Sequence, residues 1–229
     1  MTPDILAALE EARAAKRPVV LATRLRDGTQ LLLPSGHALD EEARFALEAE
    51  KSRTVQWEGA DWFLHAFTQP ARLVVVGAVH VAQALVPMAA QLGFGVTVVD
   101  PRRSFATPER FPPGLHGNVD ISTDWPDEAM DALRPDNRTA IVTLTHDPKL
   151  DDPALDRALR SDAFYIGALG SRKTAAGRAE RLRALGHDDD ALARIRGPVG
   201  LPIGAVTAPE IALSVLSQIV SVRRGGRVQ

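Results

Sequence analysis

Two textures of hydrophobic patterning divide this chain. From residue 71 onward, short unbroken apolar runs alternate with stretches whose apolar residues recur at three- and four-residue spacing. Leu73–Val76 reads as a buried strand, and Val96–Asp100, Val119–Ser122, Ala140–Thr145 and Phe164–Ala168 read as further strands. Helices are predicted between and after them, over 79–92, 127–133, 153–160 and 172–185. Gly93 and Gly95 end the first of these, and Gly186 closes the last. Such alternation implies parallel strands with helices packed on both faces. The expected fold is α/β, a Rossmann-like doubly wound parallel sheet.

A final helix over 211–222 is announced by Thr207-Ala208-Pro209-Glu210, which fits a capping box. It is apolar almost all round and needs cover on more than one face. Burial inside the fold and a subunit interface both answer that need.

Before residue 70 the texture changes. Asp4 to Lys16 carries Ile5, Leu6 and Leu9 at helical spacing. Val19–Leu25 and Gln30–Leu33 are β-rich and flank Arg26-Asp27-Gly28-Thr29, whose Asp-Gly predicts a hairpin turn. Asp40–Glu50 predicts a short charged helix with Ala43, Phe45 and Leu47 turned inward. Thr54–Trp57 and Trp62–Phe67 suggest a second hairpin around Gly59. Gln69-Pro70 breaks the pattern. A small α+β N-terminal domain over residues 1–70 is therefore expected before a Rossmann-like domain over 71–229.

Composition narrows the partners. The 229 residues are 45% hydrophobic, enough for a packed core. Lys plus Arg number 27 against 29 Asp plus Glu, a net charge of −2, so no nucleic-acid partner is expected. No apolar run approaches a membrane span and no signal-peptide pattern opens the chain, so the expected location is cytoplasmic, with no membrane attachment. There is no cysteine, which removes disulfides, thiolate metal sites and a thiol nucleophile.

The first apolar strand runs into Gly77-Ala78-Val79-His80-Val81-Ala82, and the second ends in Asp100. A strand, a glycine turn, a helix and an acid roughly 20 residues on form the opening unit of a dinucleotide-binding fold. Alanine suits the third glycine position, which only lets helix and strand pack. Valine does not suit the second, where backbone must approach a pyrophosphate. NAD(P) is accordingly a doubtful ligand for this turn.

Ligands of doubly wound sheets sit beyond the carboxyl ends of the strands. There this chain places Gly77, Ala78 and His80, then Asp100 and Arg102, then Thr145, His146 and Asp147, then Gly167, Gly170, Ser171, Arg172 and Lys173. The last group offers free amides, a hydroxyl and two cations at the mouth of a helix, an anion-binding arrangement. Ser171 as a simple cap with solvated Arg172 and Lys173 is the plainer alternative. It carries a cost, because cations in a first turn oppose the helix dipole. Thr145-His146-Asp147 could orient a ligand or move a proton, or Asp147 could merely cap the next turn. His37, His65, His116 and His187 show no partner pattern and read as surface or structural. With His80, His146 and Asp147 on separate loops, no metal site is expected.

Taken in order, Trp62-Phe63-Leu64, the turn at Gly77–Ala82, Val98–Arg102, Thr145-His146-Asp147, Tyr165–Lys173, Gly200–Ala205 and Thr207–Ile211 resemble the XdhC/CoxI family of xanthine dehydrogenase accessory proteins. The resemblance runs from about Trp62 to Val222. It implies a maturation factor without turnover of its own. Such a factor binds molybdenum cofactor as cargo, supports its sulfuration by a cysteine desulfurase and hands it to a molybdenum hydroxylase apoenzyme. It also implies a homodimer. On this reading Gly167, Gly170, Ser171, Arg172 and Lys173 hold the terminal phosphate of molybdopterin. His80, Thr145, His146 and Asp147 face the pterin or the metal, and Asp100 and Arg102 edge the cleft. Two departures stand out. The segment nearest to the family's Ser-Gly-Gly-Cys is Pro34-Ser35-Gly36-His37, which has no cysteine, and Val79 replaces the middle glycine of its Gly-Ala-Gly-His turn. An NAD(P)-dependent oxidoreductase and an interaction paralogue without ligand are the alternatives.

Overall fold

The computed structural model describes residues 2–15, 17–112 and 119–226. It divides into two compact units, Met1–Gln69 and Pro70–Gln229.

The first unit opens with α1 (Pro3–Ala14). Thr2 caps it, its hydroxyl accepting from the Ile5 amide, and Pro3 takes the first helical position. β1 (Val19–Arg24) and β2 (Gln30–Leu33) pair antiparallel. Asp27 ties their turn, accepting from Arg24 and from the amide and hydroxyl of Thr29. After α2 (Asp40–Glu48), β3 (Arg53–Trp57) and β4 (Ala60–Phe67) form the second hairpin, completing a sheet in the order β2-β1-β4-β3. Ala60, Trp62 and Leu64 alternate inward along β4 and meet Ala43 and Ala46 of α2. Phe45 does not join them and stands 44% exposed. It lies about 200° round the helix from Ala43, so the small residues face the sheet and the aromatic ring faces out. Leu6 of α1 is likewise exposed, while Leu9 and Ala12 are buried.

The second unit carries β5 (Arg72–Val76), α3 (His80–Gln91), β6 (Gly95–Val99), β7 (Val119–Ser122), α4 (Pro126–Leu133), β8 (Thr139–Thr143), α5 (Pro148–Leu159), β9 (Tyr165–Ala168), α6 (Arg172–Ala184), α7 (Asp189–Ala193), β10 (Ile195–Arg196) and α8 (Ala208–Arg223). Its strands are parallel, in the order β10-β9-β8-β5-β6-β7. Counted from β5, that is the Rossmann order, with the reversal point between β5 and β8. The period-two rule explains the layers. Leu73, Val75, Val96, Val98 and Val142 share one core with α3 and α8. Val74, Val76, Val99, Ile141 and Ile166 share the other with α4, α5 and α6. Each such fully buried side chain is worth about 1.5–3 kcal/mol. The sheet is a two-faced core.

Two boundaries differ from expectation. α5 starts at Pro148 rather than Pro153, because Asp147 accepts from the Lys149 amide at 2.9 Å and Pro148 suits the first helical position. α7 and the two-residue β10 are too short to leave a periodic trace. The capping box at α8 is formed, with Thr207 accepting from the Glu210 amide and Glu210 accepting from the Thr207 amide. Ala212, Val215, Leu216 and Ile219 of α8 are buried, while Leu213 on its other side is 52% exposed. Among the described residues, no helix is long and apolar enough to cross a membrane.

Candidate cofactor-binding site

Four loops at the carboxyl end of the parallel sheet contain the residues singled out by chemistry. The loop after β5 is held by close approach. Gly77 has φ +108°, and a Cβ there would fall 2.4 Å from Cγ2 of Thr145, so only glycine lets the β5 and β8 loops touch. Ala78 is buried and its amide donates to Asp100 at 2.8 Å. Val79 begins α3 with no side-chain cap, and His80 is exposed in the first turn.

After β6, Asp100 is fully buried. Its carboxylate accepts from the Ala78 amide, from the Arg102 amide at 3.0 Å, and from two guanidinium nitrogens of Arg102 at 2.8 and 2.7 Å. Burial works against the charged carboxylate, but these donors outweigh it and hold the group below its ordinary value. The Arg102 guanidinium also lies over the Phe105 ring at 4.5 Å. Asp100 and Arg102 are thus engaged with each other. In this conformation no oxygen of Asp100 faces outward to a ribose.

The loop after β8 is the strained one. His146 adopts φ +62°, a left-handed conformation rare outside glycine, and its ring is exposed. Thr145 beside it donates to Asp151 at 2.7 Å and accepts from the Asp147 amide at 3.1 Å. Asp147 caps α5. After β9, Gly170 has φ +143°, and Ser171 caps α6 by accepting from the Thr174 amide at 3.2 Å. Arg172 and Lys173 are exposed in the first turn. Gly167 lies inside β9 rather than in the loop. A Cβ on it would strike Val199 at 2.6 Å and the Tyr165 ring at 2.8 Å, so packing accounts for that glycine.

Between the β8 and β9 loops lies a hollow of about 300 Å³, lined by His146, Pro148, Asp151, Lys173, Thr174, Gly177, Arg178 and Arg181. His146 and Lys173, chosen from distant parts of the sequence, share it. Gly77, Ala78, His80, Asp100, Arg102 and Arg172 are not among its lining residues. Sequence reading missed Asp151, Arg178 and Arg181. The last two belong to one stripe of α6 with Thr174 and Gly177, at three- and four-residue spacing, and that periodicity was the available signal. Asp151 lies on α5 ahead of Pro153, where the apolar pattern predicts no helix. Burial pushes the Asp151 carboxyl above its ordinary value and the Arg178 guanidinium below its own. Arg181 is hydrogen-bonded to Asp152.

The other histidines lie elsewhere. His37 accepts from the Leu39 amide at 3.1 Å, and His65 stacks on Phe67. His187 is buried against Asp156 at 2.7 Å. His116 lies outside the described residues. In the segment Pro34–His37, the Ser35 and Gly36 amides donate to the Asp40 carboxylate at 3.0 and 2.8 Å.

The family model for the XdhC Rossmann domain matches residues 73–219, covering the sheet and all four loops. The chain belongs to the XdhC family. Among relatives, the uncharacterized protein YqeB of Escherichia coli is 38% identical over 164 residues, covering 70% of this chain and 29% of that protein. The molybdenum cofactor insertion chaperone PaoD of Escherichia coli is 29% identical over 215 residues, 94% of this chain and 58% of PaoD. A probable xanthine dehydrogenase subunit of Bacillus subtilis is 30% identical over 162 residues, 71% of this chain and 46% of that protein. This XdhC-family chain therefore spans less than two thirds of each. A solved structure, described as a xanthine dehydrogenase from Bacillus halodurans, has the same fold. Its TM-score is 0.72 at 23% identity, over 98% of this chain and 65% of that one.

Proposed function

We propose that this XdhC-family chain binds molybdenum cofactor as cargo and passes it to the apoenzyme of a xanthine dehydrogenase-type molybdenum hydroxylase. The observation that carries the reading is the shared hollow, where His146 from one crossover and Lys173, Arg178 and Arg181 from the next surround a single space. Cations, and the first-turn amides of α6 beside them, suit the phosphate end of molybdopterin. The names of PaoD and of the Bacillus subtilis relative support the same direction.

The metal end receives less from this chain. There is no cysteine, and no group of three or more His, Asp or Glu that could hold a metal ion occurs among the described residues. On this reading the cargo is gripped by its organic part. The chain turns nothing over, and a cysteine desulfurase and a second copy of the chain complete its partners in the cytoplasm. The oxidoreductase alternative is weakened by Val79 at the second glycine position and by Asp100, whose oxygens are already engaged. Calorimetry with purified molybdopterin and with NAD(P)H separates the readings. Binding of molybdopterin alone is expected. Tight NAD(P)H binding without molybdopterin binding would overturn the proposal, and binding of neither would leave an interaction paralogue.

A further inference from the structure

The floor of the hollow is built in an unusual way. Asp151 is 1% exposed and Arg178 is 3% exposed, so both charges are fully enclosed. Yet Oδ2 of Asp151 and a guanidinium nitrogen of Arg178 stand 3.7 Å apart, beyond hydrogen-bond distance. Oδ2 of Asp151 and Nε of Arg178 have no hydrogen-bond partner among the described residues. Elsewhere Arg178 donates to the Leu169 carbonyl at 2.8 Å, and Oδ1 of Asp151 accepts from Thr145. A buried polar atom left without a hydrogen-bond partner destabilises the fold that encloses it. Both line a space left open by Gly177, whose position in the middle of α6 carries its own helix-propensity cost.

Resting on the cargo reading above, we propose that Arg178 is the anchor for the ligand's tetrahedral oxyanion and that Asp151 is its internal competitor. When the oxyanion arrives, the Arg178 fork turns to it and the Asp151 carboxylate takes up one proton from solvent. The new O–H then donates to an oxyanion oxygen. Both orphaned atoms are thereby partnered, and the enclosed charge is reduced by one. The groups facing Asp151 are Arg178, Arg181 and Lys173 from α6 and His146 from the β8 loop, with Asp152 beside it on α5, and Arg102 of the β6 loop acts on it from outside the hollow. Most are cationic and favour the arriving anion. Asp151 is the group whose charge opposes it from within the hollow, and its burial already favours the neutral form.

Sulfate is the discriminating probe, because it does not titrate near neutral pH, and inorganic phosphate is its companion. Titration calorimetry of the full chain in two buffers of different ionisation enthalpy should show uptake of about one proton per sulfate bound. Affinity should rise as pH falls. Asp151→Asn should abolish the uptake, flatten the pH profile and bind about tenfold tighter at neutral pH, the scale of one removed charge in a partly enclosed site. Arg178→Gln should weaken both anions tenfold or more, with Arg178→Lys intermediate. The proton count is read on the wild-type chain and survives any failure of a variant to fold. Sulfate binding without proton uptake, uptake that persists in Asp151→Asn, or affinity unchanged in Arg178→Gln would each overturn the proposal while leaving the cargo reading intact. Molybdopterin binding that neither anion displaces would do the same. If molybdopterin, sulfate and phosphate all fail to bind, both readings fall.

Discussion

Asp100 and Asp151 are both buried aspartates facing an arginine at the same end of the same sheet, and they are built in opposite ways. Asp100 accepts four hydrogen bonds, from the Ala78 amide, the Arg102 amide and both sides of the Arg102 fork. Asp151 leaves one oxygen without a partner, with its arginine 3.7 Å away. The first carboxyl is held below its ordinary value and the second is pushed above it. The difference separates a structural clasp from a poised site. A saturated pair offers nothing to a ligand, however well its place in the fold matches a cofactor fingerprint. An enclosed but unsaturated pair asks for a third party.

The comparison can be broken most forcefully at the clasp. Asp100→Ala leaves the Ala78 amide buried and the Arg102 fork without its carboxylate. Stability should fall by about 2–4 kcal/mol, discounted because Arg102 itself reaches solvent. Denaturant unfolding measures the loss, and sulfate affinity at the α6 hollow should change little in the folded fraction. A comparable collapse of anion binding would mean the two regions are one site. Gly77→Ala comes next, at about 2–3 kcal/mol, because it combines a positive φ with a methyl group 2.4 Å from Thr145. A thermal melt within a degree of wild type would show that the β5 and β8 loops do not depend on that contact. Smaller again is the joint Arg172→Ala and Lys173→Ala variant. Both side chains are exposed, so phosphate affinity should drop only about two- to fivefold and the difference should fade in high salt.

Much of the scaffold was legible because strand burial and helix period are written in the apolar residues themselves. Leu73–Val76 and Ile141–Val142 are continuous runs because both faces of the sheet are covered. The hairpin at Asp27-Gly28 followed from turn chemistry. Phe45 was misplaced because hydrophobicity alone does not tell which side of a short helix meets the sheet. Side-chain pairing was harder to read. Asp100 looked like a ribose contact because its position in sequence matches one, whereas its engagement with Arg102 is a matter of rotamer and distance. Arg178 carries no comparable positional signal on α6. It faces Asp151, which is 27 positions away in the chain and lies ahead of Pro153, where the apolar pattern predicts no helix. Periodicity reports which face turns inward, not which inward charges find partners.

The smallest effect sharpens the comparison most, because its sign differs between the two regions. A carboxyl whose folded value lies below its unfolded value, such as Asp100, contributes stability that is present above the unfolded value. That contribution is lost as pH falls through the folded one. Asp151 is raised on folding, so its contribution is complete below the unfolded value and disappears as pH rises through the folded one. Asparagine does not titrate. The stability difference between wild type and Asp151→Asn should therefore shift in favour of the variant as pH rises above the usual carboxylate range. With Asp100→Asn it should shift in favour of wild type as pH climbs out of the acid range. Unfolding by denaturant at a series of pH values gives both slopes. Parallel slopes would mean that Asp151 is stabilised as a carboxylate after all, and that the space beside Arg178 is not held ready for another anion.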